Sequence, residues 1–210
     1  MARAVSERCT LPYLAGLVAA DGTLYQREVR VATGSLSHAI RLAAALRRLG
    51  YKPRIDRGVR VFLVRVYSVS LVRLLEEEYG IPLGRKAANI KFPSLRGATV
   101  NCFIAGFTDG DGSIGLIKSG VKEGRWGPYR TPRIVYASSS TYFLKGLQAR
   151  LEVLGFRRGR LTREAGVSKL KYYGCDNLDR FMESIFPHLL NPVRIGGARA
   201  GANSCREVSC

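Results

Sequence analysis

Apolar residues recur along this chain with two periods, and the periods alternate in a fixed order. Residues 11–21, LPYLAGLVAAD, are almost continuously apolar and predict a buried helix, with Thr10 as its N-cap and Pro12 in its first turn. The alternation in TLYQREVRVATG predicts a hairpin, and SLSHAIRLAAALRRLG (35–50) has the spacing of an amphipathic helix ended by Gly50. KPRIDRG and VRVFLVRVYSV then read as two strands turning at Arg57-Gly58. SLVRLLEEEYG reads as a third helix that stops before Pro82.

The same order returns in the second half. NCFIAGFTDGDG predicts a helix ending in glycine, SIGLIKSG and RIVYASSS its strands, and STYFLKGLQARLEVLG the amphipathic helix. RRGRLTREAGVSKLKYYG is the second hairpin and DNLDRFMESIFPHLL the last helix. Equivalent residues lie 90 apart at the first helix and 105 apart at the second, so the second repeat carries about fifteen extra residues in KSGVKEGRWGPYRTPR. The expected organisation is an N-terminal half with its linker (1–96), a C-terminal half (97–195) and a flexible tail (196–210). The linker is IPLGRKAANIKFPSLRGA, and the tail has no apolar pattern.

Charge narrows the partner. Of 210 residues, 34 are Lys or Arg and 16 are Asp or Glu, a formal +18. Residues 1–97 hold 17 basic and 7 acidic side chains and the remainder 17 and 9, so the excess covers both halves. A folded protein with that field suits a polyanion, and nucleic acid in particular. No apolar run is long enough to span a membrane, and the N-terminus is a poor signal peptide, so a cytoplasmic protein with no membrane partner is expected. The five cysteines form no CxxC pair, which argues against zinc. Cys102 and Cys175 read as core thiols, and Cys205 and Cys210 as a pair able to bridge in the tail.

The opening helices of the two repeats carry the chemistry. Gly16 and Ala20 on one, and Gly106 and Gly110 on the other, are four apart and therefore share a face; such small residues let helix backbones approach closely. Packing along that face would bring Asp21 and Asp111 together at two helix C-termini. Two carboxylates about 4 Å apart repel by roughly 4 kcal/mol at an effective dielectric of 20, and the helix dipoles add to the penalty. A hard divalent cation held by oxygen ligands would relieve both. A single Asp-Gly is no more than a helix ending in a turn; its duplication at equivalent positions favours the metal site.

Residues 14–22, LAGLVAADG, and 104–112, IAGFTDGDG, resemble the nine-residue motif of the LAGLIDADG homing endonucleases at seven and five positions, each opening the same αββαββ pattern. The resemblance covers about residues 10–195 and is closest to the single-chain, two-motif, archaeal-type intron-encoded members. It implies an α+β fold of two pseudo-symmetric αββαββα repeats, each with a curved antiparallel sheet, packed through the two motif helices. It implies a monomer that makes a staggered double-strand break in a long asymmetric DNA target to promote intron homing. By the same resemblance Asp21 and Asp111 are metal ligands assisted by the carbonyls of Ala20 and Gly110. The metal is Mg2+, with Mn2+ or Ca2+ able to occupy the same sites. Lys86, Lys118 and Arg194 are candidates for basic groups around the metal-bound water. The sixth motif position departs from symmetry: Ala19 in the first repeat, Asp109 in the second. Asp109 is read as a structural or hydrogen-bonding residue.

The resemblance also implies that each sheet lies in a major groove. Candidate DNA contacts are Arg27, Arg30, Arg54 and Arg57 in the first half, and Arg158, Arg160, Arg163, Lys169, Lys171 and Tyr173 in the second. Trp126 and Tyr129 in the insert could extend the footprint. Two alternatives share the fold: an intron maturase that binds its own intron RNA, and a DNA-binding protein that does not cleave. Retention of both motif acids favours the nuclease.

Overall fold

The computed structural model describes residues 6–84, 90–118, 121–122, 125–126, 130–191, 194–195 and 198–199. The first repeat runs α1 (Glu7–Asp21), β1 (Gly22–Tyr25), β2 (Glu28–Thr33), α2 (Leu36–Arg48), β3 (Arg54–Arg57), β4 (Phe62–Tyr67) and α3 (Val69–Glu77). The second runs α4 (Ala98–Asp111), β5 (Gly112–Lys118), the insert strands β6 (Val121–Lys122) and β7 (Arg125–Trp126), then β8 (Arg130–Ser138), α5 (Thr141–Val153), β9 (Arg160–Glu164), β10 (Val167–Tyr173) and α6 (Cys175–Ser184). A 3-10 turn, Phe186–His188, follows, and β11 (Arg194–Ile195) pairs with β12 (Ala198–Arg199).

The sheets repeat each other strand for strand. One has the order β1-β2-β4-β3 and the other β5-β8-β10-β9, all antiparallel. In β2 and β4, Val29, Val31, Val64 and Val66 are buried, and their neighbours in sequence lie on the other face. Ile134, Tyr136, Leu170 and Tyr172 do the same in β8 and β10. Helices cover these apolar faces and leave the opposite faces open. Matching serines start three helices alike: Ser35, Ser68 and Ser140 each accept from the backbone N–H three residues on. Gly50 and Gly155 close α2 and α5 at φ +83° and +88°, a conformation that favours glycine.

The two sheets meet through α1 and α4, whose side chains are buried along most of their length. A Cβ placed on Gly16 would fall on the Phe103 carbonyl, and one on Gly106 would fall on that of Tyr13. Small residues are therefore a steric requirement at the crossing, as the sequence pattern indicates.

Three expectations are corrected. The first helix begins at Glu7 with Ser6 as N-cap, and Thr10 lies inside it with its hydroxyl donating to the Ser6 carbonyl at 3.1 Å. Pro12 consequently sits in the second turn. Cys102 is not a free core thiol: it is bonded to Cys9, Cα to Cα 5.4 Å, because helix packing brings two residues 93 apart together. Cys175 is free and half-buried. The pairing of Ala198–Arg199 puts a backbone ladder, which needs no side-chain pattern, inside the stretch expected to be irregular. Cys205 and Cys210 lie outside the described residues. Among the described residues no helix is long and apolar enough to cross a membrane.

Candidate active site and nucleic-acid interface

The paired helices run in parallel register, residues 13–17 against 103–107, and their C-terminal ends emerge side by side. A Cβ on Gly110 would collide with the Ala20 Cβ and lie 3.5 Å from the Asp21 backbone nitrogen. Asp21 is exposed and Asp111 half-buried, each the last residue of its helix. The next glycine of each motif, Gly22 or Gly112, closes the turn by donating to the Val18 or Thr108 carbonyl. A side chain on either would strike that same turn, at 2.6 Å from Val18 Cα or 2.5 Å from the Thr108 carbonyl. The final helical carbonyls and two carboxylates are thus gathered at one end of the molecule, the donor set of a hard cation.

Asp109 points the other way, into the protein. Its Oδ2 accepts from the Tyr13 hydroxyl at 2.5 Å and from the backbone nitrogens of Leu190 and Asn191 at 2.9 and 3.0 Å. Tyr13 spends its only proton on Asp109, so His38 Nε2, 2.8 Å away, must donate to the tyrosine oxygen. His38 Nδ1 then accepts from the Thr33 hydroxyl at 3.1 Å. Burial pushes the Asp109 carboxyl up to about 7, against the hydrogen bonds that pull it down. Burial, with nearby Arg41, pushes His38 down to about 4. Arg41 also donates to the Leu190 carbonyl at 2.9 Å. The segment after the last helix is therefore held by Asp109 from one repeat and Arg41 from the other. The expected hydrogen-bonding role of Asp109 is what the geometry shows.

The open faces of the sheets carry the basic residues. In the first sheet the register places Thr23, Arg30, Arg65 and Arg54 in one row, and Tyr25, Glu28 and Tyr67 in the next. The equivalent rows of the second sheet are Ser113, Val135, Lys171 and Arg160, then Gly115, Arg133 and Tyr173. Lys169 stands beside Ala137 and Thr162 on the same face. Glu164 holds both lysines of β10 at 2.7 Å, and those hydrogen bonds lower its carboxyl to about 2.

The candidate residues divide accordingly. Arg30, Arg54, Arg160, Lys169, Lys171 and Tyr173 share the open faces, Arg27 lies in the β1–β2 turn, and Arg158 precedes β9 at φ 56°. Arg57 and Arg163 pair with Phe62 and Ser168, so they belong to the opposite register; residues three apart in a strand cannot share a face. Lys118 and Arg194 lie on β5 and β11, and Trp126 on β7. Lys86 and Tyr129 lie outside the described residues. Arg65, Arg133, Glu28 and Asp56 were missed. Counting outward from buried Val64, Ile134 and Val29 with a period of two would have found the first three.

Solved structures with this architecture include I-DmoI in complex with DNA and Mn (TM-score 0.59, 18% identity, 86% of this chain and 97% of that one). I-DmoI in complex with DNA and Ca gives TM-score 0.62 at 20% identity, covering 90% and 94%. Full-length DUF199/WhiA from Thermatoga maritima gives 0.56 at 14% identity, covering 86% of this chain and 56% of that one. Identities this low establish the fold alone. No curated protein sequence matches the chain. The LAGLIDADG-like domain family matches residues 9–79 and again 98–185, once for each structural repeat, and the chain belongs to that family.

Proposed function

We propose that this protein is a metal-dependent, site-specific DNA endonuclease that makes a staggered double-strand break in a long asymmetric target and so promotes intron homing. The observation that carries the reading is the pair of glycine-packed helices ending side by side in Asp21 and Asp111. Their carboxylates, with the Ala20 and Gly110 carbonyls, offer only oxygen donors and fit Mg2+, Mn2+ or Ca2+. A divalent cation there would activate water and stabilise charge on the leaving 3′ oxygen. Each acid serves one strand, and the glycine contacts fix their separation. Lys86, Lys118 and Arg194 are proposed to orient the attacking water or hold phosphate. Double-stranded DNA lies across both open faces, contacted by Arg27, Arg30, Arg54, Arg158, Arg160, Lys169, Lys171 and Tyr173. Arg57, at the sheet edge, can reach only phosphate. The chain acts as a monomer, because its second motif takes the place of a partner subunit.

The test is incubation with a library of long duplexes, including intronless genes, in Mg2+ and in EDTA, with mapping of the ends. One staggered cut that disappears in EDTA is expected. Tight binding of a structured intron RNA, with no duplex cut at any metal concentration, would overturn the reading in favour of a maturase.

A further inference from the structure

The row Thr23–Arg30–Arg65–Arg54 is an arrangement that folding alone does not explain. Like charges directly opposite across strands cost stability, and here three arginines occupy adjacent strands of one row. Two carboxylates of the same face flank two of them, Arg30 and Arg65. Glu28 accepts from Arg30 Nε at 3.0 Å and Nη2 at 3.3 Å, and its Oε1 lies 3.6 Å from Arg65 Nε. Asp56 Oδ2 lies 3.1 Å from that same Arg65 nitrogen. Neither contact to Arg65 is aligned as a hydrogen bond, so its buried Nε is left without an acceptor. Arg30 is further fixed by the Tyr25 ring, 4.7 Å beneath its guanidinium. The equivalent row of the second sheet has Ser113, Val135, Lys171 and Arg160, one planar fork where the first has three.

A guanidinium fork is the side chain that matches guanine O6 and N7 together, whereas an ammonium is a point charge. We infer that Arg30, Arg65 and Arg54 are specificity-determining residues that read a guanine-rich block in the DNA half-site under the first sheet, and that Glu28 and Asp56 are positioning residues that aim the forks of Arg30 and Arg65. This rests on the duplex-binding function proposed above. The half-site under the second sheet, facing Val135 and Lys171, lacks such a block. The row binds base edges and not merely phosphate because Glu28 and Asp56 partly neutralise its charge within the sheet, and a buried Arg65 Nε without an acceptor leaves that guanidinium open to a planar acceptor.

The experiment is selection from a randomised duplex pool by the full chain without Mg2+, so that binding is read without cleavage. Wild type should enrich a long site with adjacent guanines on one side. Arg65→Ala should lower the preference for guanine at one of those positions by about 5- to 150-fold, and Arg65→Lys should not restore it. Glu28→Gln should weaken preference at the same block while the melting temperature stays within about 2 °C, a selective change that lost stability would not give. Lys171→Ala should leave that block intact. A long enriched site whose guanine preference survives Arg65→Ala and Arg30→Ala would overturn this inference alone. Failure to enrich any duplex would instead overturn the function on which it rests.

Discussion

The two repeats have one backbone plan and two kinds of interior. In the first, Tyr13 of α1 meets His38 of α2 edge-on with ring centroids 6.3 Å apart; in the second, Phe103 and Phe143 occupy the equivalent positions at 6.2 Å. The polar pair is joined to Asp109 across the helix interface, while the position equivalent to Asp109 in the first motif is Ala19. The same packing space has therefore been filled once by an aromatic cluster and once by a hydrogen-bonded chain. The difference follows the C-terminal segment: only Asp109 has backbone nitrogens, those of Leu190 and Asn191, to satisfy. A duplicated fold can thus hold its two acid-bearing helix ends in register with chemically different supports.

The largest effect should come from the feature that the repeats share. Gly16→Val or Gly106→Val puts side chain onto opposing backbone, and either should destabilise by more than about 4 kcal/mol or prevent folding, read by urea unfolding. If both are tolerated with little loss, the glycine crossing is not what sets the helix separation. Breaking the Cys9–Cys102 link should come next. Each of Cys9→Ser and Cys102→Ser opens a 93-residue loop and should cost about 4 kcal/mol, measured under non-reducing conditions. Equal stability of wild type with and without reductant would contradict that.

Asp109→Ala should then cost about 3 kcal/mol, since it leaves Tyr13 and two backbone N–H groups without an acceptor. Tyr13→Phe alone should cost about 1 kcal/mol, and the double variant should show coupling on the order of 1 kcal/mol or more. Strict additivity would mean that the two do not act together.

The smallest effect is in pH dependence, and it sharpens the contrast most. Asp109, raised to about 7, contributes stability that is fully present below its unfolded value and lost as pH rises toward 7. His38, lowered to about 4, contributes stability present above its unfolded value and lost as pH falls toward 4. Between about pH 4 and 6.5 these slopes oppose each other. Relative to wild type in EDTA, Asp109→Asn should gain stability with rising pH, and His38→Phe should lose it. Identical pH profiles for all three proteins would show that neither group titrates as its surroundings dictate.

Much of this was legible because helix and strand periods are set by side-chain burial. The duplication, the motif helices and the succession of helices and strands in each half follow from apolar spacing, and the small-residue face of Gly16 and Gly106 from the motif itself. Reading charge without register grouped Arg57 and Arg163 with Arg54 and Arg160, whose face they do not share. Arg65 and Glu28 were passed over because an acid amid arginines looks like ordinary surface until strand pairing puts them in one face. The Cys9–Cys102 link and the Tyr13–His38–Asp109 chain depend on how α1 and α4 cross, which one-dimensional pattern does not encode. Tyr13 and His38 sit among apolar residues in the sequence, and nothing local marks them as members of one polar chain.

Under the proposed function each of the two adjacent helix ends cuts one strand. That division is tested most directly by strand-resolved cleavage of a selected duplex in Mg2+ with wild type, Asp21→Asn and Asp111→Asn. Each variant should lose the double-strand break by at least about 100-fold while keeping wild-type affinity for the duplex. Full double-strand cleavage by either variant would contradict the account.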